Sequence, residues 1–350
     1  MNEMKPLIYD LKYQDFKNAL QGFGQPGYRA DQVWTAIYKS FISTPEEIST
    51  LPKSFREELR NAFSFNAFTP VKKLKSADGM TVKTLFLLHD GNPIEAVLMY
   101  YENRRTLCIS SQSGCGIGCA FCATGQMGFH RNLTSGEIIA QVLHYARILA
   151  EDGDRVTNIV IMGMGEPFQN YASVLTALDR LNSPDAFGLG ARRFTISTVG
   201  LIPEILRFAD ERRQYNLAIS LHTVDDELRS KLVPINNNYP VNRLISACRQ
   251  YVQKTKRRIT FEYALIQGVN DSSEDAEALA RKVRGMICHV NLIPLNPTMG
   301  FTGQPTSANQ AAAFCNILNE SNISCTIRLR RGIEIAAGCG QLAAEDKSYS

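Results

Sequence analysis

Residues 111–129 read Ser-Gln-Ser-Gly-Cys-Gly-Ile-Gly-Cys-Ala-Phe-Cys-Ala-Thr-Gly-Gln-Met-Gly-Phe, and this stretch governs the interpretation of the whole chain. Its cysteines, Cys115, Cys119 and Cys122, have the spacing C-x3-C-x2-C. Three thiolates on one loop can hold three irons of a [4Fe-4S] cubane and leave the fourth iron without a protein ligand. Catalytic metal centres keep an open position of this kind, because a substrate can bind there directly. The spacing therefore predicts a [4Fe-4S] cluster with one accessible iron.

A zinc site is the alternative interpretation of the same loop. It would use the three cysteines together with His130 as a fourth ligand. Zinc sites built from C-x2-C units usually need two such pairs, and this chain has one. The spacing therefore favours the cluster.

The chain from about residue 105 onward alternates short strand-like runs with helical runs. The predicted strands, rich in β-branched or bulky residues, are 106–110, 158–162, 194–198, 217–221, 259–265 and 290–293. The predicted helices between them include 135–149, 174–181, 203–208 and 276–283. Six β/α units predict an α/β fold with an all-parallel sheet, and fewer units than a closed eight-unit barrel predict a partial (β/α)6 barrel. Ligands of such folds bind at the carboxyl ends of the strands.

The first 100 residues have a different pattern. Apolar residues recur at helical spacing within 11–65. Two β-rich runs, 82–88 and 94–100, are separated by Asp90-Gly91-Asn92, which predicts a β-hairpin. We therefore expect residues 1–100 to form a helical accessory domain plus a hairpin linker, and residues 101–350 to form the barrel core and a C-terminal cysteine-containing segment.

The composition is that of an ordinary globular protein. The 350 residues are 44% hydrophobic and 21% charged, and no apolar stretch reaches the length of about 18 residues that a membrane span needs. Residues 1–10 lack the pattern of a secretory signal. The nine cysteines therefore suggest metal binding or redox chemistry rather than a disulfide framework, and we expect a cytoplasmic protein without a membrane partner. A net charge of +4 is weak evidence for a nucleic-acid partner, although basic residues cluster at 72–75, 254–258 and 328–331.

The motif C-x3-C-x-aromatic-C, in a loop after a predicted strand, resembles that of the radical S-adenosylmethionine (SAM) superfamily. Two longer segments, 105–112 and 331–342, are similar to the RlmN/Cfr family of radical SAM methyltransferases, which modify adenosine in RNA. The resemblance covers nearly the whole chain, including the helical N-terminal part. It implies a radical SAM barrel that uses SAM and a [4Fe-4S] cluster.

The resemblance also implies the catalytic residues. Cys339 matches the cysteine that receives a methyl group and carries it to the RNA, and Cys108 matches the cysteine that then forms a transient disulfide with it. Glu95 matches the residue that accepts the proton of the adenine ring. Gly338 precedes Cys339 where the family usually has Ala, and we expect this glycine only to loosen the loop.

Seven further residues resemble the SAM contacts of the family, and most of them end predicted strands. They are Gly165, Glu166, Ser197, Ser220, Leu221, His222 and Asn296. Glu166 can accept hydrogen bonds from the ammonium group of SAM. The resemblance thus places the cofactor at the carboxyl ends of the strands, where the fold class also predicts a ligand.

The family has two branches with different products. Residues 165–171 and Ser113 resemble the branch that methylates carbon 2 of adenosine in 23S rRNA, at the peptidyl transferase centre, and in tRNA, 3′ of the anticodon. The alternative is the antibiotic-resistance branch, which methylates carbon 8 of the ribosomal adenosine. Two rivals of other kinds are a non-catalytic RNA-binding protein with a structural metal and a radical SAM enzyme that activates a protein partner. We further expect a monomer that receives electrons from a donor such as flavodoxin or ferredoxin.

Overall fold

The computed structural model describes residues 5–343 and contains one ten-stranded sheet and one two-stranded sheet. The strands of the large sheet lie in the order β1-β2-β3-β4-β7-β8-β9-β10-β11-β12, whereas β5 pairs with β6. The strands are β1 (Phe68–Lys75), β2 (Thr81–Leu88), β3 (Pro93–Tyr101), β4 (Arg104–Cys108), β5 (Gln112–Gly114), β6 (Phe129–Asn132), β7 (Asn158–Ile161), β8 (Phe194–Thr198), β9 (Asn216–Ser220), β10 (Ile259–Leu265), β11 (Cys288–Pro294) and β12 (Ser324–Ile327).

The helices lie mainly at the N-terminus and between the strands of the large sheet. They are α1 (Tyr13–Gly22), α2 (Tyr28–Tyr38), α3 (Lys53–Ala62), α4 (Ala123–Gln126), α5 (Ser135–Glu151), α6 (Tyr171–Asn182), α7 (Ile202–Asp210), α8 (Asp226–Leu232), α9 (Val241–Thr255), α10 (Ser273–Val283) and α11 (Ala308–Glu320). Among the helices of residues 5–343, none has the length and apolar character that a membrane crossing requires.

The strands from β4 through β12 in the large sheet are parallel, and helices connect them. The six predicted strands are all present within this half of the sheet, which confirms the partial (β/α)6 barrel. A seventh parallel strand, β12, was not predicted from the sequence because it is a short and largely exposed edge strand. The predicted helix 135–149 is also present, and Thr134 and Glu137 form the capping box that begins α5.

The prediction of an all-parallel sheet is wrong. The strands β1, β2 and β3 are antiparallel to one another, and β3 continues the sheet by pairing with β4, so the sheet is mixed. The predicted hairpin, β2 and β3, therefore joins the barrel sheet directly. The pairing of β3 with β4 connects the two parts of the chain on either side of residue 100. Strand β1 escaped prediction because its lysines and Pro70 are typical of an exposed edge strand.

The N-terminal helices pack on the outside of the barrel. The guanidinium carbon of Arg180 on α6 lies 4.6 Å from the centroid of the Trp34 ring. Arg180 also donates a hydrogen bond to the Tyr38 hydroxyl. Asp10 accepts a hydrogen bond from the backbone N–H of Gly136 in the first turn of α5. An added Cβ at Gly136 would approach Asp10 to 2.8 Å, so glycine is required for this contact. These contacts fix the N-terminal helices against α5 and α6.

Candidate active site

A cavity of about 150 Å³ lies at the carboxyl ends of the parallel strands. Two of the three predicted cluster cysteines, Cys119 and Cys122, line it on one side. Cys339 from the C-terminal segment also lines this cavity. Six of the seven predicted SAM contacts contribute to its wall, namely Gly165, Glu166, Ser197, Ser220, His222 and Asn296.

The three-cysteine loop is closed at its base by the β5–β6 hairpin. The backbone N–H of Cys115 donates to the Gly128 carbonyl at 2.7 Å, and an added Cβ at Gly125 would lie 2.9 Å from the Cys119 backbone nitrogen. Glycine at 125 therefore lets the chain turn back closely on itself. Burial, and next the neighbouring Cys122 and Cys115, raise the pKa of the Cys119 thiol. The loop therefore brings all three thiols close together.

The surroundings of these thiols fit an iron–sulfur cluster. Burial raises the pKa of the Cys122 thiol, and the backbone N–H groups of Gly125 and Thr124 oppose that rise, as the backbone N–H of Ile117 does at Cys115. Hydrogen bonds of this kind stabilise thiolate ligands and tune the potential of clusters. Burial raises the pKa of the Cys115 thiol to about 12, so a cluster would have to displace its proton on binding. The described residues contain no group of three or more His, Cys, Asp or Glu side chains arranged to hold a single metal ion.

Glu166 is buried in the cavity wall, and both of its carboxyl oxygens accept backbone hydrogen bonds. Phe168 N–H donates to one oxygen and Val199 N–H to the other, each at 2.9 Å. Burial outweighs these bonds and raises the pKa of Glu166 to about 7. A cationic ligand group beside this carboxylate would therefore be held by a strong, charge-assisted bond.

His222 follows β9 in a left-handed conformation with φ of 65°, and its ring lines the cavity. Its Nδ1 accepts a hydrogen bond from the Ala264 N–H at 3.0 Å, so the proton of the neutral ring is on Nε2. Burial lowers the pKa of His222 to about 3, and the ring is therefore uncharged at neutral pH. Leu221, the remaining predicted SAM contact, does not line the cavity, and its backbone bonds to Glu262 and Arg229.

The C-terminal segment covers one side of this cavity. Asn296 Nδ2 donates to the Cys339 carbonyl at 3.1 Å, and the Ala123 N–H donates to the Gly340 carbonyl at 2.7 Å. An added Cβ at Gly338 would lie 2.6 Å from Asn296 Nδ2. The nearest atoms are ends of the Asn296 and Gln341 side chains, which could shift to admit a Cβ, so the expectation that Gly338 only loosens the loop stays a prediction.

Cys108 and Cys339 meet in a second, smaller cavity of about 40 Å³. Cys339 lines both cavities, so it lies between the main cavity, which contains Cys119 and Cys122, and the smaller cavity, which contains Cys108. Burial, and next the neighbouring Cys339, raise the pKa of the Cys108 thiol to about 12. Both cysteines are free thiols in this structure.

Glu95 lies on β3, outside both cavity walls but on the sheet face that carries Cys108. It forms an ion pair with Lys83 at 2.8 Å, and its other oxygen accepts the N–H of Ala343 at 3.1 Å. The predicted proton acceptor is thus held by a lysine and by the C-terminal segment.

Three residues of the site were missed by sequence reasoning. The first is Arg229 on α8, whose side chain is buried. Its guanidinium donates to the carbonyls of Val199, Ser220 and Leu221. Arg229 thereby ties the ends of β8 and β9 together.

The other two missed residues are Glu262 on β10 and Arg328 after β12. Both line the main cavity, and Arg328 also lines the smaller one. Burial raises the pKa of Glu262, which accepts a hydrogen bond from Asn291 at 2.8 Å. For Arg328 the available signal was its position directly after β12, since polar residues at strand ends face the mouth of the barrel. Glu262 lies in the middle of β10 and had no such signal.

Comparisons with known proteins agree with this geometry. The family model for the Radical SAM superfamily matches residues 109–282. The chain is 45% identical over 337 residues to the "Dual-specificity RNA methyltransferase RlmN 1" of Myxococcus xanthus (strain DK1622), covering 96% of this chain and 94% of that protein. The chain belongs to the RlmN family of radical SAM methyltransferases.

Other members of the RlmN family are equally similar. A "Probable dual-specificity RNA methyltransferase RlmN" of Geobacillus kaustophilus (strain HTA426) is 44% identical and covers 98% of this chain and 93% of its own length. The crystal structure of a radical SAM methyltransferase from Sphaerobacter thermophilus has a TM-score of 0.95 and 48% identity, covering 97% of this chain and 100% of that one. These similarities confirm the resemblance to the family and the predicted fold class, and membership implies SAM and an iron–sulfur cluster.

Proposed function

We propose that this chain methylates carbon 2 of adenosine in 23S rRNA and in tRNA, using SAM and a [4Fe-4S] cluster. The observation that carries the proposal is that Cys339 lines both the cavity beside the cluster loop and the cavity of Cys108. A single thiol between two cavities is suited to take a group from a cofactor on one side and deliver it on the other.

The cofactors are assigned to the main cavity. Cys115, Cys119 and Cys122 would hold the cluster, which when bound supplies the electron that splits SAM and so generates a 5′-deoxyadenosyl radical. Glu166 would hold the ammonium group of SAM, because it is a buried carboxylate in the cavity wall. The remaining contacts to SAM would come from Gly165, Ser197, Ser220, Leu221, His222 and Asn296.

A carrier cysteine is needed because a ring carbon of adenine is a poor nucleophile, and it does not attack the methyl group of SAM directly. The Cys339 thiolate is a good nucleophile and takes this methyl group by substitution. Once the 5′-deoxyadenosyl radical has taken a hydrogen atom from the S-methyl group, the remaining carbon radical bonds to the adenine, and the unpaired electron of the adduct would return to the cluster. Cys339 then joins the enzyme covalently to the RNA.

Release of the RNA requires a second thiol and a base. The Cys108 thiolate attacks the Cys339 sulfur, which forms a disulfide and breaks the bond between that sulfur and the carbon on the adenine. The electron pair of the broken bond stays on this carbon, which takes up a proton to complete the methyl group. Glu95 accepts the proton of the ring carbon. The shared cavity of Cys108 and Cys339 supports this pairing, since the two thiols need no intervening element to move aside.

The RNA would approach from the mouth of the barrel, because affinity for RNA is dominated by contacts to phosphates. Arg328, Arg330 and Arg331 follow β12 at this mouth, and the lysines of β1 are exposed along the edge of the sheet. The basic cluster 254–258 precedes β10, so it lies at the opposite end of the barrel. We propose that residues 1–100 form an accessory RNA-binding domain with the β1 edge, and that 101–350 form the catalytic core. The target base must leave its stack to reach the cavity, at a cost of a few kcal/mol.

Product analysis on both classes of RNA tests the assignment. Ribosomal RNA and tRNA from cells with and without the gene would be digested and their nucleosides separated by liquid chromatography and mass spectrometry. We expect 2-methyladenosine in both classes only when the gene is present. The finding of 8-methyladenosine in rRNA would contradict the assignment and support the carbon-8 alternative.

The metal content distinguishes the proposed enzyme from a non-catalytic RNA-binding protein. Anaerobically purified protein should contain four irons per chain, as expected for a [4Fe-4S] cluster, and should cleave SAM when reduced. Zinc in place of iron, without SAM cleavage, would support a non-catalytic RNA-binding protein. We further propose that the chain acts as a monomer in the cytoplasm, with flavodoxin or ferredoxin as electron donor.

A further inference from the structure

Lys83 on β2 is a buried cation whose partner is the proposed proton acceptor. Its Nζ lies 2.8 Å from Glu95 Oε1, and only 10% of the lysine side chain and 4% of the glutamate side chain are exposed. Buried charges are rare unless they are paired, because removing them from water is costly. The pair is therefore a specific feature of the sheet and differs from the exposed ion pairs of the surface.

Strand register places this pair on the sheet face that leads into the active site. Val97 on β3 is the partner of Lys83 on one side and of Cys108 on the other. Glu95 lies two residues before Val97 and so shares its face, because side chains alternate along a strand. Lys83, Glu95 and Cys108 thus share one face, and Cys108 lines the smaller cavity there.

The C-terminal segment reaches the same carboxylate. The Ala343 N–H donates to Glu95 Oε2 at 3.1 Å, four residues after Cys339. The carboxylate is thus held through both oxygens, one by the ammonium and the other by the segment that carries Cys339. This arrangement orients Glu95 relative to the thiol that would hold the RNA.

We propose that Lys83 is a positioning residue that holds Glu95 in the orientation in which it accepts the proton of the adenine ring. The proposal rests on the proposed function, because it assigns a second residue to the same proton transfer. In that step the proton moves from the ring carbon to a Glu95 oxygen, and the electron pair of the broken C–H bond stays in the ring.

The electrostatics explain why a lysine is needed. Removing a carboxylate from water is costly unless an opposite charge is paired with it, and the Lys83 ammonium supplies that charge to Glu95. Cys108 on β4 also faces this region, and burial raises the pKa of its thiol to about 12, so it is neutral at neutral pH. The Tyr145 hydroxyl lies on the opposite face of the sheet, where it donates to the Thr84 hydroxyl. Arg328 is a second cation of this region and lines the smaller cavity with Cys108, whereas Lys83 is the cation that pairs with Glu95 directly.

The test compares Lys83→Met, Lys83→Gln and Lys83→Arg in the full-length, cluster-loaded enzyme with RNA. Lys231→Met is the matched control, because Lys231 also pairs with a glutamate, at 2.7 Å, but on the exposed surface of α8. Two stages are measured separately: methylation of Cys339, which precedes proton transfer, and release of methylated RNA. Circular dichroism checks that each variant is folded.

For Lys83→Met and Lys83→Gln, we expect normal methylation of Cys339 but release of RNA slowed by about 100-fold, the lower range for loss of acid–base catalysis. The covalent enzyme–RNA adduct should accumulate. Lys83→Arg should keep most of the activity, and Lys231→Met all of it. Adding Glu95→Gln to Lys83→Met should cause little further loss, since the two act through one step.

Two results would overturn the inference. One is a folded Lys83→Met enzyme that releases RNA at the wild-type rate. The other is failure of Lys83→Arg to restore activity when Lys83→Met is misfolded, which would make the role of Lys83 structural. Either result leaves the proposed function standing if the wild type makes 2-methyladenosine, whereas a wild type that never methylates Cys339 refutes the proposed function itself.

Discussion

The parallel and antiparallel halves of the sheet supply different chemistry. In the parallel half, the site residues are at the ends of strands and in the loops after them, around the main cavity. In the antiparallel half, Glu95 and Lys83 lie within strands and are buried against each other. Under the proposed function, cofactor binding would belong to the first half and proton transfer to the second, with Cys108 on the strand that joins them.

This division predicts two classes of variant. Changes in the parallel half should impair both the methylation of Cys339 and the methylation of RNA, because both consume SAM. Changes in the antiparallel half should impair only the later steps on RNA. The following experiments can break or sharpen the division.

The largest effect is expected from Cys339→Ala, because it removes the sulfur that carries the methyl group in this account. RNA methylation should fall to background, while iron content and SAM binding stay normal. Mass spectrometry of the RNA product and iron analysis measure the two properties. A fully active Cys339→Ala enzyme would refute the carrier mechanism.

Cys108→Ala should stop the reaction one stage later. Without the attacking thiol, the RNA stays bonded to Cys339, and a nuclease-sensitive adduct should be visible on a denaturing gel. Cys248→Ala is the matched control, since Cys248 is a buried cysteine of α9 and lines neither cavity. Free release of RNA by Cys108→Ala would argue against the disulfide step.

Glu166→Gln tests the parallel half. Losing one hydrogen bond to a charged group costs about 1.5–3 kcal/mol, so the affinity for SAM should fall roughly 10-fold to 150-fold. Both methylation stages should slow together and recover at high SAM concentration. In the wild type, affinity should also fall below about pH 7, because protonation of Glu166 removes its charge. Unchanged SAM binding by Glu166→Gln would remove this residue from the cofactor site.

The pH dependence of release should be the mildest effect. Because burial raises the pKa of Cys108 to about 12, its thiolate fraction rises about tenfold for each unit of pH below that value. When the adduct is preformed, its release should therefore quicken by roughly tenfold between pH 7 and pH 8 in a stopped-flow assay. A rate independent of pH would show that attack by Cys108 does not limit release.

The two halves also differed in how far the sequence predicted them. General rules were sufficient for the parallel half, because buried parallel strands are short apolar runs and ligands bind at their carboxyl ends. The cluster loop and most strand-end contacts, such as Glu166 and His222, were found in this way together with the family resemblance. Arg229 was missed, since a buried arginine that ties strand ends together has no sequence pattern of its own.

The antiparallel half was less predictable. Glu95 was identified by resemblance alone, and its pairing with Lys83 depends on the register between β2 and β3, which the sequence does not specify residue by residue. Strand β1 was missed because its exposed lysines give this edge strand little of the apolar character from which strands were predicted. The hydrogen bond from Asn296 to the Cys339 carbonyl was also not predictable, since it joins segments far apart in sequence.

The central claim is that the methyl group travels through Cys339 and loses one hydrogen on the way. It is tested most directly by supplying SAM with a fully deuterated methyl group and weighing the modified adenosine. The account predicts 2-methyladenosine that retains two of the three deuterium atoms. A product that retains all three would show direct transfer from SAM and would contradict the account.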